Sequence, residues 1–368
     1  MKNIVLFYPF VTPEAAKAAY ETLQGRWIGE GPKVRELEAA ISDRLKLPYA
    51  LALVNGTAAL HLALVVAGVR TGDEVISTAQ TCTATNHAIL QVGARPVFAD
   101  IQNETGNLDP SDIEHRITER TKAIMPVHWG GYPPDLNEIN AIARSYGIPV
   151  IEDAAQALGA VYKGKFVGCH SRFVCFSLQA IKVLTGVEGG ILSLRNCADY
   201  GLARLQHWYS IDKRSRKPNE DGYYAHDILY VGFKYNYNDV FASIALANLV
   251  GFDARLERRR KRAEFYRAEF ESVPGIKLFT WDRDRQGTNY LFTMHVERRT
   301  DFIRTMKDKG VECGIVHDRN DKYTVFGGRQ GDLPNLDRYE KTHVSIPIHD
   351  HLDEDDLNYI VESIKRGW

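Results

Sequence analysis

The stretch FSLQAIKVLTGVEGG, Phe176 to Gly190, sets a single lysine, Lys182, between an apolar run bearing Ser177 and a glycine-rich loop. A lysine held among apolar residues loses hydration, which disfavours its ammonium form and lowers its pKa. A neutral amine is a nucleophile and forms a Schiff base with an aldehyde. The commoner fate of such a lysine is to lay its stem on apolar surface and send its charge to water. Lys182 alone therefore proves little, and three other stretches supply its company. In NGTAALHLAL, Asn55 to Leu64, an apolar strand ends, Gly56 permits a tight turn and Thr57 is placed to cap a helix. A helix N-terminus offers free N–H groups and partial positive charge to a phosphate, although most joints of this composition serve structure alone. In PVIEDAAQALGA, Pro149 to Ala160, Asp153 stands where an apolar strand leaves its sheet. Open α/β sheets collect ligands at that end, and an aspartate there also reads as the N-cap of a helix through Ala155. VGFKYNYND, Val231 to Asp239, interleaves aromatic and polar side chains around Lys234, a mix that suits a subunit contact as well as a site.

A phosphate cradle, an acid at a strand end, a hydroxyl and a neutral amine are together the parts that hold pyridoxal 5′-phosphate. The acid would keep the pyridine nitrogen protonated, and the lysine would carry the aldehyde and later move a proton.

The elements that must position these groups follow from periodicity. From about residue 12 to about residue 195, helical and extended patterns alternate. Helices are expected over Pro13–Leu23, Val34–Leu45, Thr57–Ala67, Thr83–Val92 and Leu136–Tyr146. Strands are expected over Ala50–Val54, Glu74–Thr78, Arg95–Ala99, Ala123–Val127, Pro149–Ile151, Phe173–Leu178 and Ile191–Leu194. Such alternation predicts a mostly parallel sheet covered by helices on both faces. Tyr235–Phe270 reads as one or two long helices. The remainder mixes strands (Tyr290–Val296, His343–Ile346) with amphipathic helices (Thr300–Lys309, Glu354–Lys365), which predicts a smaller α+β lobe. The expected division is a large domain over 1–245 and a small one over 246–368. The polar segment Ile211–Ala225 reads as an exposed loop.

Bulk composition narrows the function classes. The 368 residues hold 46 basic and 47 acidic side chains, a net charge of −1 that gives no footprint for nucleic acid or an anionic membrane. Five cysteines with irregular spacing, none forming C-x-x-C, give neither a disulfide framework nor a metal site and point to a reducing, cytoplasmic setting. No apolar run reaches membrane-spanning length, and the N-terminal run is too short for a signal peptide. No G-x-G-x-x-G follows the first strand, which counts against a nicotinamide-dependent sugar enzyme.

The motifs RWIGEGPKVRELE, VNGTAALHLAL, GDEVIST, GARPVFADI, LDPSDIE, RTKAIMPVH, IEDAAQALGA, FSLQAIKVLTGVEGG and YNYNDVFASIALANL occur in one order along nearly the whole chain. In that order the chain resembles the DegT-type, fold type I aminotransferases, which act on nucleotide-linked keto sugars. The resemblance implies Lys182 as the Schiff-base lysine, Asp153 as partner of the pyridine nitrogen and Gln156 near the ring's phenolic oxygen. It implies Gly56, Thr57 and Ser177 as phosphate contacts, L-glutamate as amino donor, and a homodimer with active sites at the interface. Two positions depart from the family pattern. Cys82, in TAQTCTATN, stands where the family stacks Phe or Trp on the cofactor, and Lys234 stands where an asparagine reaches the partner's phosphate. Lys182 argues against the histidine-bearing, sugar-dehydrating branch; a dehydratase or a non-catalytic binding module are the competing expectations. Trp129, His128, His317 and Asn320 are candidates to face the sugar, and each also reads as an ordinary structural residue.

Overall fold

The computed structural model describes residues 2–212 and 217–368. In chain order its larger elements are helices α1 (Pro13–Leu23) and α2 (Pro32–Leu45), strand β1 (Tyr49–Leu53), α3 (Gly56–Val66), β2 (Glu74–Thr78) and α4 (Thr83–Gln91). Then come β3 (Arg95–Ala99), α5 (Pro110–Arg116), β4 (Thr121–Met125), α6 (Leu136–Ser145), β5 (Ile151–Asp153), β6 (Phe173–Ser177), β7 (Gly190–Leu194) and α7 (Cys197–Gln206). The chain continues through α8 (Asp239–Leu249), α9 (Phe252–Phe270), β8 (Ile276–Leu278), β9 (Phe292–Val296) and α10 (Arg299–Asp308). It ends with α11 (Pro334–Thr342), β10 (His343–Ile346) and α12 (Glu354–Lys365).

The strands from β1 to β7 make one surface. β3, β2 and β4 pair in parallel, β5 pairs in parallel with β6, and single parallel bridges Ile124↔Val150 and Val127↔Asp153 join the two groups. β7 runs antiparallel between β6 and β1, so the spatial order is β1-β7-β6-β5-β4-β2-β3 with one reversed strand. The expected mostly parallel sheet is therefore present. The reversal has a local cause. Parallel neighbours need a crossover, usually a helix, whereas residues 178–189 between β6 and β7 form turns only and fold straight back. Those turns carry Lys182.

Apolar burial on both faces holds the sheet. α3 is buried nearly all round, with Leu60, Leu62 and Leu64 packed against Leu51, Phe173, Cys175 and Leu192. Each such leucine contributes about 2 kcal/mol on burial. A separate cluster gathers Ile4, Phe270, Phe292, Met294, Phe302, Val344 and Ile360 around the antiparallel sheet β8-β9-β10. The expected long helical stretch is two helices: Gly251, at φ +71°, breaks it, and Tyr235–Asn238 is extended, with Leu53↔Asn236 bridged. The polar segment Ile211–Ala225 includes residues 213–216, which lie outside those described, and its residues Lys217–Tyr224 are exposed.

Candidate functional site

β1, β2, β5 and β6 end together, and the chemistry-bearing residues stand at those ends. After β1, Asn55 caps α3: its side-chain oxygen takes the Ala58 N–H at 2.8 Å and its carbonyl takes Ala59. Thr57 is thus inside the helix, correcting the sequence expectation that it was the cap. The capping leaves the amides of Gly56 and Thr57 directed out of the helix end, where an anion is favoured. Gly56 sits close against Ser177: a Cβ there would stand 3.0 Å from the Ser177 Cβ, so a larger residue would press the helix end and that hydroxyl apart. Gly190 does the same from β7, where a Cβ would lie 2.4 Å from the Asn55 carbonyl oxygen. The start of α3 and the end of β6 therefore meet at Gly56 and Ser177.

Asp153 is the last residue of β5 and is buried. It caps no helix, since residues 154–160 form turns. One carboxylate oxygen accepts the Ala155 N–H at 3.1 Å, and the other accepts the Thr85 hydroxyl at 2.6 Å. Gln156, also buried, accepts the Gly130 N–H on Oε1 at 2.8 Å, which orients its amide and leaves Nε2 as a donor.

Lys182 closes the site from the β6–β7 turns. The residue is half-buried, and its amine lies 4.5 Å from the centroid of the Tyr290 ring. Burial lowers its pKa, against the opposing charges of Asp153 and Cys82. Half-buried Cys82 is the N-cap residue of α4 and makes no side-chain cap bond. His317 is pushed down to about 4, first by burial and then by the Lys182 charge, so it is neutral near pH 7. Trp129, buried, meets His317 edge-to-face at 5.9 Å.

Two expected residues, Asn320 and His128, have other employment. Asn320 is fully enclosed: its amide donates to the Thr81 carbonyl at 2.7 Å and its oxygen accepts from Asn86 at 2.8 Å. His128 turns to the opposite side of the sheet, 2.8 Å from Glu152, both without exposure. Lys234 is exposed on the rim, over the Trp208 ring at 4.1 Å and bonded to Asn236. Sequence reading missed Tyr290 and Thr85. Only the spacing of Thr85 behind TAQTC hinted at it, and nothing marked Tyr290.

An amine freed of its hydration, a carboxylate carrying two donors and a glycine-built anion cradle fit pyridoxal phosphate. Comparison with known proteins gives the same class: residues 10–365 match the DegT/DnrJ/EryC1/StrS aminotransferase family, and the chain belongs to it. It is an enzyme of the aminotransferase class with pyridoxal phosphate as cofactor. The chain is 32% identical to the spore coat polysaccharide biosynthesis protein SpsC of Bacillus subtilis, over 97% of this chain and 95% of that one. It superposes on the sugar aminotransferase CalS13 of Micromonospora echinospora with a TM-score of 0.94, at 34% identity, covering 99% of this chain and 100% of the other. The pyridoxal-phosphate form of Spr1654 of Streptococcus pneumoniae matches with a TM-score of 0.90 at 27% identity, over 99% and 98% of the two chains. Among the described residues no helix is long and apolar enough to cross a membrane, and no cluster of metal-binding side chains occurs.

Proposed function

We propose that this enzyme moves an amino group from L-glutamate onto a keto-deoxy sugar linked to a nucleotide, in the cytoplasm and as a homodimer. The observation that carries the reading is the Lys182 amine over the Tyr290 ring, its pKa lowered by burial, on the turns that follow Ser177, where Ser177 meets Gly56. The sugar follows from what CalS13 and SpsC are said to do.

When bound, pyridoxal phosphate supplies an electron sink that acidifies the carbon bearing the amino group. The chain's residues do the rest. Amides of Gly56 and Thr57 and the Ser177 hydroxyl hold the phosphate. Asp153 would accept the ring N–H, and Gln156 Nε2 would donate to the phenolic oxygen. Lys182 would hold the aldehyde carbon, and its amine would move the proton between the two carbons that exchange nitrogen. The Tyr290 face then steadies its ammonium, an attraction worth about 1–2 kcal/mol in a desolvated site. Cys82 gives the ring a small platform. His317 and Trp129 border the space left for the sugar, with His317 as a neutral hydrogen-bonding group.

Two features support the dimer. Lys234 and its neighbour Asn236 sit on the rim, free of the cradle in their own chain. The preceding run Ile228–Val231 exposes apolar side chains, Leu229 at 73% and Val231 at 78%. The division into domains over 1–245 and 246–368 belongs to the same reading and is supported by the separate apolar cluster around β8-β9-β10.

Purified enzyme is expected to absorb visible light, to bleach with glutamate, and to regain colour when a nucleotide-linked keto sugar is added and an amino sugar forms. Borohydride should fix the cofactor on the peptide containing Lys182. A Lys182→Ala enzyme that still exchanged amino groups at the wild-type rate would overturn the assignment.

A further inference from the structure

Behind Asp153 lies a short line of hydroxyls. The Thr85 hydroxyl donates to Asp153 Oδ2 at 2.6 Å, and the Thr81 hydroxyl lies 2.8 Å from that of Thr85. Both threonines are buried. A hydroxyl has one proton, and Thr85 spends its own on the carboxylate, so Thr81 must donate to Thr85. The order of donation is fixed from outside in. A threonine in a helix ordinarily satisfies itself on a carbonyl one turn back; on α4, Thr85 instead reaches across 68 residues of sequence to Asp153.

The loop holding Thr81 is itself clamped. Asn320 donates to the Thr81 carbonyl at 2.7 Å, its own N–H reaches the Ala79 carbonyl at 2.7 Å, and the Gln80 amide reaches the His317 carbonyl at 3.3 Å. Arg319, without exposure, holds that clamp through two bonds of 2.6 Å to Asp321 and a further contact with Asp337. The sequence motif DRND is thus a fastening on the loop behind the cofactor.

We propose that Thr81 and Thr85 are positioning residues, an ordered pair of hydroxyls that sets how firmly Asp153 leaves the proton on the cofactor's ring nitrogen, with Asn320 holding the pair in register. The inference rests on the proposed pyridoxal chemistry and deepens it. Without the Thr85 donor, the carboxylate becomes a stronger proton acceptor and draws the proton from the ring. A neutral ring is a poorer electron sink, and it makes the nitrogen joining the cofactor to Lys182 more basic.

The test compares holoenzymes carrying Thr85→Val, Thr85→Ser and Thr81→Val with the wild type. Three quantities are measured: the pH titration of the visible band, the single-turnover rate with glutamate, and the glutamate concentration at half-saturation. The charged or titrating groups facing that nitrogen are Asp153, Cys82 and His317, none of which is substituted. Thr85→Val is expected to raise the band's midpoint by about one pH unit and to slow the single turnover about tenfold, the effect of one hydrogen bond to a charged group. Half-saturation should stay within about twofold, because glutamate binding does not use this bond. Thr85→Ser restores the wild-type values, and Thr81→Val moves the midpoint in the same direction by less. A Thr85→Val holoenzyme that titrates like the wild type overturns the proposal. Should that variant not fold, an unshifted Thr81→Val overturns it equally. A wild type with no visible band on Lys182 would instead overturn the proposed function, so the two failures are distinct.

Discussion

Acid should destabilise this protein in measurable part through two buried histidines of the β10 region. His343 lies 2.8 Å through Nδ1 from the Tyr339 carbonyl, while His349 lies 3.0 Å through Nε2 from the Val5 carbonyl. Each ring therefore donates from one nitrogen, and the other is buried without a partner. A second proton would create a buried N–H with no acceptor. Burial, reinforced by Arg299 beside His343 and Arg259 beside His349, pushes both down to about 4. In the unfolded chain each titrates near 6.5. Between those values the unfolded state binds the extra proton and the folded state does not, so stability is full above about pH 6.5 and falls toward pH 4. The slope is about 1.4 kcal/mol per pH unit per histidine. From pH 7 to pH 5 each removes about 2 kcal/mol, and the pair about 4 kcal/mol. That is a large share of the roughly 5–15 kcal/mol that holds a typical fold. Urea unfolding at pH 7, 6 and 5 measures it. His349→Gln and His343→Asn keep the donor to the carbonyl but cannot titrate. Each should flatten the dependence between pH 6 and 5 by about 1.4 kcal/mol per unit. If either variant shows the wild-type slope, that ring is not held neutral and the reasoning fails.

Other perturbations test the site and its supports. Gly56→Ala places a methyl 3.0 Å from the Ser177 Cβ, and should weaken pyridoxal phosphate binding to the apoenzyme about tenfold by equilibrium titration. Asp239, on α8, accepts the amides of Gly31, Lys33 and Val34 at 2.9, 3.1 and 3.0 Å. Asp239→Ala strands those donors at the start of α2 and should cost about 3 kcal/mol in urea unfolding, with Asp239→Asn costing less. His317→Ala should raise the KM for the keto sugar about tenfold and leave the glutamate half-reaction within about twofold, as stopped-flow absorbance would show.

Most element boundaries were legible along the chain, because hydrophobic periodicity, caps and glycine breaks act within a few residues. α1, β2, β3, β10 and α12 fall on their expected limits, most other expected elements shift by one or two residues at an end, and α5, α7, α11 and β8 had no expected counterpart. Lys182, Asp153 and the Gly56 turn stood out for the same reason: each is a residue type misplaced for its immediate surroundings. The tertiary structure decided what those residues touch. It made Asn55 the cap in place of Thr57, turned Asp153 from a helix cap into a carboxylate shared with Thr85, and spent Asn320 on a carbonyl 239 residues away. It also laid Tyr290 beneath the Lys182 amine. Local pattern records burial and backbone preference, whereas a hydrogen bond between distant segments exists only after the sheet has brought its strand ends together. The residues able to do chemistry were therefore written in sequence, and their partners, hence the state of the amine and the carboxylate, were set by the fold.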